Sequence, residues 1–208
     1  MNTASGSGGA VPGGWYNTAQ GGYSFAAGRR AKANHDGAFV WGDSTDADLA
    51  STAANQFRAR AAGGVWFYTS SDLLTGATLA AGSGSWSSVS DRNAKDNFAT
   101  VDGQTLLARL GEIPVLTWNY KAQDASVRHI GPMAQDFRAA FGLGEDDRHI
   151  STVDADGVAL AGVQALYQQS REKDQIINAQ SEKIERLARE VDELRARLAR
   201  LEQAVLSK

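Results

Sequence analysis

The 208-residue chain contains no cysteine, only three prolines and no long apolar run. Without cysteine there is no disulfide, no thiol catalysis and no thiolate metal site. A membrane-spanning helix needs roughly 20 apolar residues, and no stretch approaches that length. The N-terminus also lacks the basic segment and apolar core of a secretory signal. We therefore expect no membrane span, and either export by another route or a place at the end of a larger fibre.

The chain also has no excess of positive charge. The formal net charge is −3. Five basic residues stand against five acidic ones before Ser90, seven against eleven from Ser90 to Gly162, and nine against eight after Gly162. No segment is basic enough to follow a phosphate backbone, so we expect no nucleic-acid partner.

Metal ligands in a recognisable spacing are also absent from the sequence. His35, His129 and His149 have no metal-ligand spacing with carboxylates and are predicted to be ordinary core or surface residues. The segment from Asp154 to Gly157 resembles part of a calcium loop but lacks the further ligands and the terminal glutamate. The sequence predicts neither a metal site nor a cofactor.

Glycine is concentrated in the front of the chain, and a short repeat lies there. Residues 1–14 are small and polar and predict a flexible linker. Residues 15–89 predict a β-rich fibre stem or head segment. Within it, Ala19–Gly28 aligns with Ala33–Gly42 at an offset of 14 residues. A repeat of short strand and tight turn is what a stacked β-roll requires, and a pair of β-hairpins is the alternative.

The front half carries more aromatic area than a small monomeric sheet covers. Two copies of a repeat are also fewer than a stacked array normally needs. We therefore expect this region to be buried against other chains. The large aromatic residues concerned are Trp41, Trp66, Phe67 and Trp86.

Residues 90–162 predict a mixed α+β domain. A short helix is expected over Thr105–Leu110 and a strand over Val115–Lys121. The segment Ile130–Phe141 opens on a glycine-proline turn and continues with helical spacing, and Asp154–Gly157 predicts a polar turn.

Residues 163–208 predict a parallel coiled coil. Neither glycine nor proline occurs there, and apolar residues repeat every seven positions. An amphipathic helix folded back on its own domain is the alternative, and the heptads alone do not decide between two and three strands. One heptad position carries Val163, Ile177, Ile184, Val191, Leu198 and Val205, and its partner position carries Leu166, Leu187, Leu194 and Leu201.

Ser90 and Lys95 lie five residues apart at the boundary between the β-rich and α+β regions. A serine hydroxyl becomes nucleophilic when a base takes its proton, and a lysine amine is such a base when it is neutral. Removal of water favours the neutral amine, and an oligomer interface removes water more readily than an isolated loop does. The pair would cleave the peptide bond between Val89 and Ser90. The alternative is structural, with Ser90 or Asp91 capping a polar turn.

Three motifs in residues 90–166 resemble the peptidase S74 family, the C-terminal intramolecular chaperone domain of phage tailspikes and endosialidases. Asn93 and Ala94 stand where arginine and leucine are common in that family. The resemblance implies that Ser90 is the nucleophile, Lys95 the base and the Val89–Ser90 bond the cleavage site. The motifs are Ser90-Asp91 with Lys95, Thr117–Lys121 and His129–Asp136, followed by a helix that runs into the coil.

The resemblance also implies a homotrimer that templates the fibre upstream of it. Residues 17–42 are similar to the head repeats of trimeric adhesins. The expected protein is thus a mixed α+β trimer with an N-terminal glycine-rich β-roll or β-sheet, a chaperone domain and a coiled coil, in a phage tail fibre or on a bacterial surface. Its expected partners are its own copies and the upstream fibre segment. A permanent, non-cleaving cap is the alternative, and a third interpretation is a host-glycan surface formed by the aromatic residues of the 15–67 segment.

Overall fold

The computed structural model describes residues 1–206 and divides into two compact units, Met1–Phe98 and Ala99–Lys208. The first unit is all β apart from one 3₁₀ turn, and the second is mainly helical. The mixed α+β prediction is confirmed at this level. Among residues 1–206, no helix is both long and apolar enough to cross a membrane.

The first sixty residues form a β-roll of four stacked coils, each contributing one short strand to each of two parallel sheets. One sheet has the order β1-β3-β5-β7 and the other β2-β4-β6-β8. Parallel pairing distinguishes a roll from two hairpins, so the roll prediction is confirmed. The strands are β1 (Thr3–Ala4), β2 (Gly14–Trp15), β3 (Thr18–Ala19), β4 (Phe25–Arg29), β5 (Ala31–Ala33), β6 (Phe39–Gly42), β7 (Leu49–Ala50) and β8 (Phe57–Arg60).

The 14-residue repeat sets the register of the central coils. Ala19 pairs with Ala33, and Phe25 pairs with Phe39. Residues 1–14, for which the sequence predicted a flexible linker, instead form the first coil. Thr3 pairs with Thr18, and Val11 packs against the core. In the first coil, β1 pairs at an offset of 15 residues and β2 at an offset of 14, whereas the last coil pairs at an offset of 18, as in the Phe39–Phe57 pair, which a constant period of 14 does not show.

The roll has a thin core of small side chains. Alternate residues of each strand point inward, and the narrow interior accepts mainly alanine. Glycine is required where adjacent coils turn. A Cβ added at Gly14 or Gly28, both in the left-handed region, would lie 1.9 Å from the carbonyl oxygen of the next coil. The fully enclosed residues are Ala19, Ala26, Ala31, Ala33, Ala38 and Val40.

A three-stranded antiparallel sheet follows, made of β9 (Gly64–Tyr68), β10 (Gly76–Ala80) and β11 (Ser87–Ser88) in the order β11-β10-β9. Gly63 lies between β8, which belongs to the roll, and β9, which begins at Gly64 and belongs to this sheet. No residue from Thr52 to Thr105 is buried. This sheet therefore has no core of its own within the single chain.

The second unit contains three helices, of which α1 packs against the other two, and a two-stranded antiparallel ribbon. Its elements are α1 (Gly103–Glu112), β12 (Leu116–Trp118), β13 (His129–Gly131), α2 (Ala134–Phe141) and α3 (Thr152–Leu206). Leu106, Phe137 and Val158 form its buried core. Gly162 lets α3 approach α1, since a Cβ there would lie 2.8 Å from a methyl carbon of Leu110.

The predicted polar turn at Asp154–Gly157 is wrong, because these residues lie in the first turns of α3. Asp154 suits the positive end of the helix dipole, and the buried Val158 holds this part of the helix against α1 and α2. The helix continues without interruption through 55 residues.

The heptad residues predicted to form the coil all lie on α3 and are exposed. Side chains from Val163 to Val205 in both heptad positions are 44–75% exposed. The fold-back alternative requires this apolar stripe to pack against the chain's own domain. Within the described residues it does not. Association of this stripe between chains stays a prediction, and the last two residues of the predicted 163–208 coil, Ser207 and Lys208, lie outside the described residues.

Candidate functional site

The predicted cleavage site lies where the antiparallel sheet ends and a short turn begins. Strand β11 stops at Ser88, and the Val89 amide donates a hydrogen bond to the Gly76 carbonyl at 3.0 Å. Ser90 comes next, followed by a 3₁₀ turn over Arg92–Ala94. The bond between Val89 and Ser90 therefore joins a strand end to a turn.

The turn is closed by Asp91. This residue has extended backbone angles, and its Oδ1 accepts hydrogen bonds from the Asn93 amide at 2.8 Å and from Asn93 Nδ2 at 3.0 Å. The Lys95 amide closes the other end of the turn by donating to the Arg92 carbonyl at 3.2 Å. The structural alternative from the sequence, a cap in the Ser90-Asp91 dipeptide, is thus present at Asp91.

The same turn brings the two predicted catalytic side chains together. Lys95 Nζ donates a hydrogen bond to Ser90 Oγ at 2.6 Å. A serine nucleophile and a lysine base require this contact. When the amine is neutral, the serine hydroxyl donates the hydrogen bond and the amine nitrogen accepts it. A cap and a Ser-Lys pair are therefore compatible within one hexapeptide.

The pair is open to water in the single chain. Ser90 and Lys95 are both exposed, and Val89 is 37% exposed. Arg92 lies over the Phe98 ring at 5.6 Å from its centroid and so keeps a second cation on this turn. Neither the Ser90–Lys95 hydrogen bond nor the Arg92–Phe98 contact shields the Lys95 amine from water.

The other residues weighed as sites have structural partners. His35 Nδ1 lies 2.8 Å from Ser51 Oγ, which is a serine-histidine contact. The Asn34 and His35 amides also donate to Ser51 Oγ, and Ser51 is buried between coils. This hydroxyl links two coils and has no open approach for a substrate.

The remaining histidines are exposed or packed against aromatic rings. His129 Nε2 lies 2.8 Å from Gln123 Oε1, and its ring packs against Trp118 and Tyr120. Asp146 accepts hydrogen bonds from the Arg148 amide and the His149 side chain, which lower the pKa of this carboxyl to about 2. In the part of the chain that is described, no group of three or more histidine, aspartate or glutamate residues is arranged to hold a metal ion.

Sequence reasoning missed Gly76 and strand β10. A Cβ at Gly76 would lie 2.1 Å from the Phe67 carbonyl oxygen, so the close approach of β9 and β10 requires glycine here. The sequence shows a Thr75-Gly76 step but carries no signal that Gly76 pairs with Val89, because the register of the hairpin sets that contact.

The chain thus consists of a β-roll and a small antiparallel sheet, followed through a strand-and-turn junction by a mainly helical domain. Residues 90–142 match the family model of Peptidase_S74, described as chaperone of endosialidase. The match covers about a quarter of the chain, begins at Ser90 and ends at Gly142, the residue that terminates α2. A search of curated proteins found no match to the chain.

Proposed function

We propose that this chain is the trimerisation and intramolecular chaperone region of a tail-fibre or surface-fibre protein, and that it cleaves itself before Ser90. The observation that carries the proposal is the S74 match starting at Ser90, together with the 2.6 Å contact between Ser90 Oγ and Lys95 Nζ. A domain of this family is described as a chaperone, which supports the assembly role.

Three copies of α3 would associate through the heptad stripe and align the chains. Registering the chains through a coil reduces the entropic cost of the non-local strand pairing that follows. The apolar stripe on α3 and the lack of a core around β9–β11 support this order, since both leave apolar surface for other copies to cover. The family resemblance favours three strands over two.

Cleavage would proceed through an ester. Neutral Lys95 takes the Ser90 hydroxyl proton as Oγ attacks the Val89 carbonyl carbon, and the Val89–Ser90 C–N bond breaks as the Ser90 nitrogen takes up a proton. Water then hydrolyses the ester, leaving a carboxylate on Val89 and a free amine and hydroxyl on Ser90. Packing of other copies over the exposed pair would remove water and favour the neutral amine.

Intact mass spectrometry of the assembled chain tests the proposal. Wild type is expected to yield a fragment that begins at Ser90, while Ser90→Ala and Lys95→Ala stay whole. A matched control is Lys121→Ala, a lysine of the same domain outside the turn, which should cleave normally. An intact wild-type mass in a stable trimer would contradict autoproteolysis and leave the chaperone role.

A permanent, non-cleaving cap is the second candidate. The exposure of Ser90 and Lys95 favours it, because a solvated amine is a poor base for a serine hydroxyl. In that case Asp91 and its turn simply connect the fibre to the S74 domain. The intact-mass comparison distinguishes the two functions.

A further inference from the structure

The residues before the scissile bond are held as a β-strand by their own chain. Ser87 pairs with Thr78 and Ser88 with Ala77, and the Val89 amide extends the pairing to the Gly76 carbonyl. Strand β11 is the outer strand of its sheet, so its only strand neighbour there is β10.

Strand β10 is itself fixed from its other side. Five consecutive residue pairs join it to β9, from Gly76 opposite Tyr68 to Ala80 opposite Gly64. The close backbone contact at Gly76 excludes any side chain at that position. The carbonyl that receives the Val89 amide is therefore placed by the longest strand pairing in this sheet.

Strand β10 holds this segment through backbone hydrogen bonds. The side chains of Ser87 and Ser88 are small and exposed, and neither makes a side-chain hydrogen bond that would anchor the strand. Backbone pairing of an extended segment is a general way to bind a peptide, with main-chain hydrogen bonds supplying the affinity.

We propose that β10 is the strand that positions the substrate segment Ser87–Val89 for cleavage, with Gly76 as its key positioning residue. The inference rests on the proposed autoproteolysis. Pairing with β10 holds Val89, and hence the carbonyl that is attacked, while the capped turn holds Ser90 and Lys95 on the other side of the bond. Fixing both reacting groups lowers the entropic cost of reaching an attack geometry.

The same arrangement sets the fate of the product. Every hydrogen bond between β11 and β10 lies on the N-terminal side of the cut, so hydrolysis removes none of them. The new Val89 carboxylate therefore stays on the sheet, and the mature segment keeps three strands. The Ser90 amine leaves with the S74 domain.

Two proline substitutions test the proposal. In an antiparallel pair, alternate residues direct their amides to the partner strand. Since the Val89 amide faces β10, the Ser87 amide faces β10 as well, while the Ser88 amide points to the open edge. Ser87→Pro removes a pairing donor, whereas Ser88→Pro removes none and is the matched control.

We expect Ser87→Pro to slow cleavage by about tenfold or more, in line with the loss of a hydrogen bond and of strand geometry, while Ser88→Pro cleaves within about twofold of wild type. A simple effect of distance predicts the opposite order, because Ser88 is nearer the cut. Equal rates for both variants, or a slower Ser88→Pro, would overturn the proposal. Sedimentation checks that both variants assemble as wild type does.

Hydrogen exchange in the uncleaved Ser90→Ala protein gives an independent measurement. The Val89 amide should be protected there, and it should remain protected in the cleaved wild-type product. Fast exchange of this amide in the assembled Ser90→Ala protein would refute the positioning role of β10 even if Ser87→Pro failed to assemble. If wild type does not cleave at all, the proposed autoproteolysis fails, whereas the exchange result still shows whether β10 holds residues 87–89.

Discussion

Asp91 is the side chain that shapes the turn between the two predicted catalytic residues. Its carboxylate accepts both hydrogen bonds of Asn93, and Lys95 follows at the end of that turn. Loss of such a cap costs about 1 kcal/mol, or roughly a fivefold change in the population of the formed turn. We therefore expect Asp91→Ala to slow cleavage about fivefold.

Asp91→Asn should cleave close to the wild-type rate, because asparagine caps as well as aspartate does. Asp96→Ala is the control for charge, since it removes a carboxylate next to Lys95 without touching the cap. Cleavage rates from intact mass over time measure all three variants. An Asp91→Asn rate as low as that of Asp91→Ala would show that the charge and not the cap matters.

Asp43 ties the last turn of the roll to its final strand. The Ala62 amide, the Arg60 guanidinium at 2.8 Å and the Thr45 amide all donate to its carboxylate and hold the pKa of Asp43 well below its usual range. A carboxyl whose pKa is lowered on folding stabilises the fold above the unfolded pKa of about 4, and this contribution is lost as pH falls through the native pKa.

Thermal unfolding followed by tryptophan fluorescence between pH 7 and pH 2 measures that contribution. We expect Asp43→Asn to lower the unfolding temperature at pH 7 and to flatten its fall with acid. Asp174→Asn, an equal change of charge on α3, should leave the profile unchanged. A profile for Asp43→Asn parallel to that of wild type would contradict this role.

At the scale of the element, α3 presents one apolar stripe, and most of its other side chains are polar, charged or small. Leu194 lies on the stripe and Ala196 two residues away on the opposite face in the heptad pattern. An aspartate at a coil core position is buried without a partner, which costs several kcal/mol in each chain. Leu194→Asp should therefore raise the dissociation constant of the assembly by about 100-fold or more.

Analytical ultracentrifugation over a range of concentrations measures this change. Ala196→Asp carries the same charge on the outer face and should assemble like wild type. Equal sedimentation of the two variants would show that the stripe does not join the chains. The limiting mass of the wild-type assembly also decides between two and three strands.

At the scale of the whole molecule, we expect the two β regions to depend on other copies to different degrees. The roll encloses Val40 and its alanine neighbours completely, whereas no residue of the β9–β11 sheet is buried. A sheet of three strands without a covered apolar face is marginal in water. The roll should therefore survive dissociation and the sheet should not.

Hydrogen exchange of full-length Leu194→Asp at low concentration tests this difference. We expect residues 64–88 to lose protection while residues 17–42 keep it, and the Ala196→Asp protein to protect both. Protection of the sheet in a dissociated chain would mean that it folds without other copies, and would remove one support for templated assembly.

The amino-acid sequence by itself determined the features that depend on local or periodic patterns. The 14-residue offset predicted the pairing of Ala19 with Ala33 because stacked coils place equivalent residues side by side. The glycine-free heptads predicted the long helix, and the Ser90, Asp91 and Lys95 spacing together with its family resemblance predicted the site. Each of these signals depends on residues that are close together in the sequence or that repeat at a fixed spacing.

Only the tertiary structure decided the features that join residues across variable loops. Strand β1 of the first coil pairs at an offset of 15 residues and the fourth coil pairs at an offset of 18, neither of which a period of 14 shows. The bond from the Val89 amide to the Gly76 carbonyl depends on where one hairpin turns. Strand register is set by such turns and by packing and not by the residues that pair, so this contact beside the predicted cleavage site becomes visible only in the folded chain.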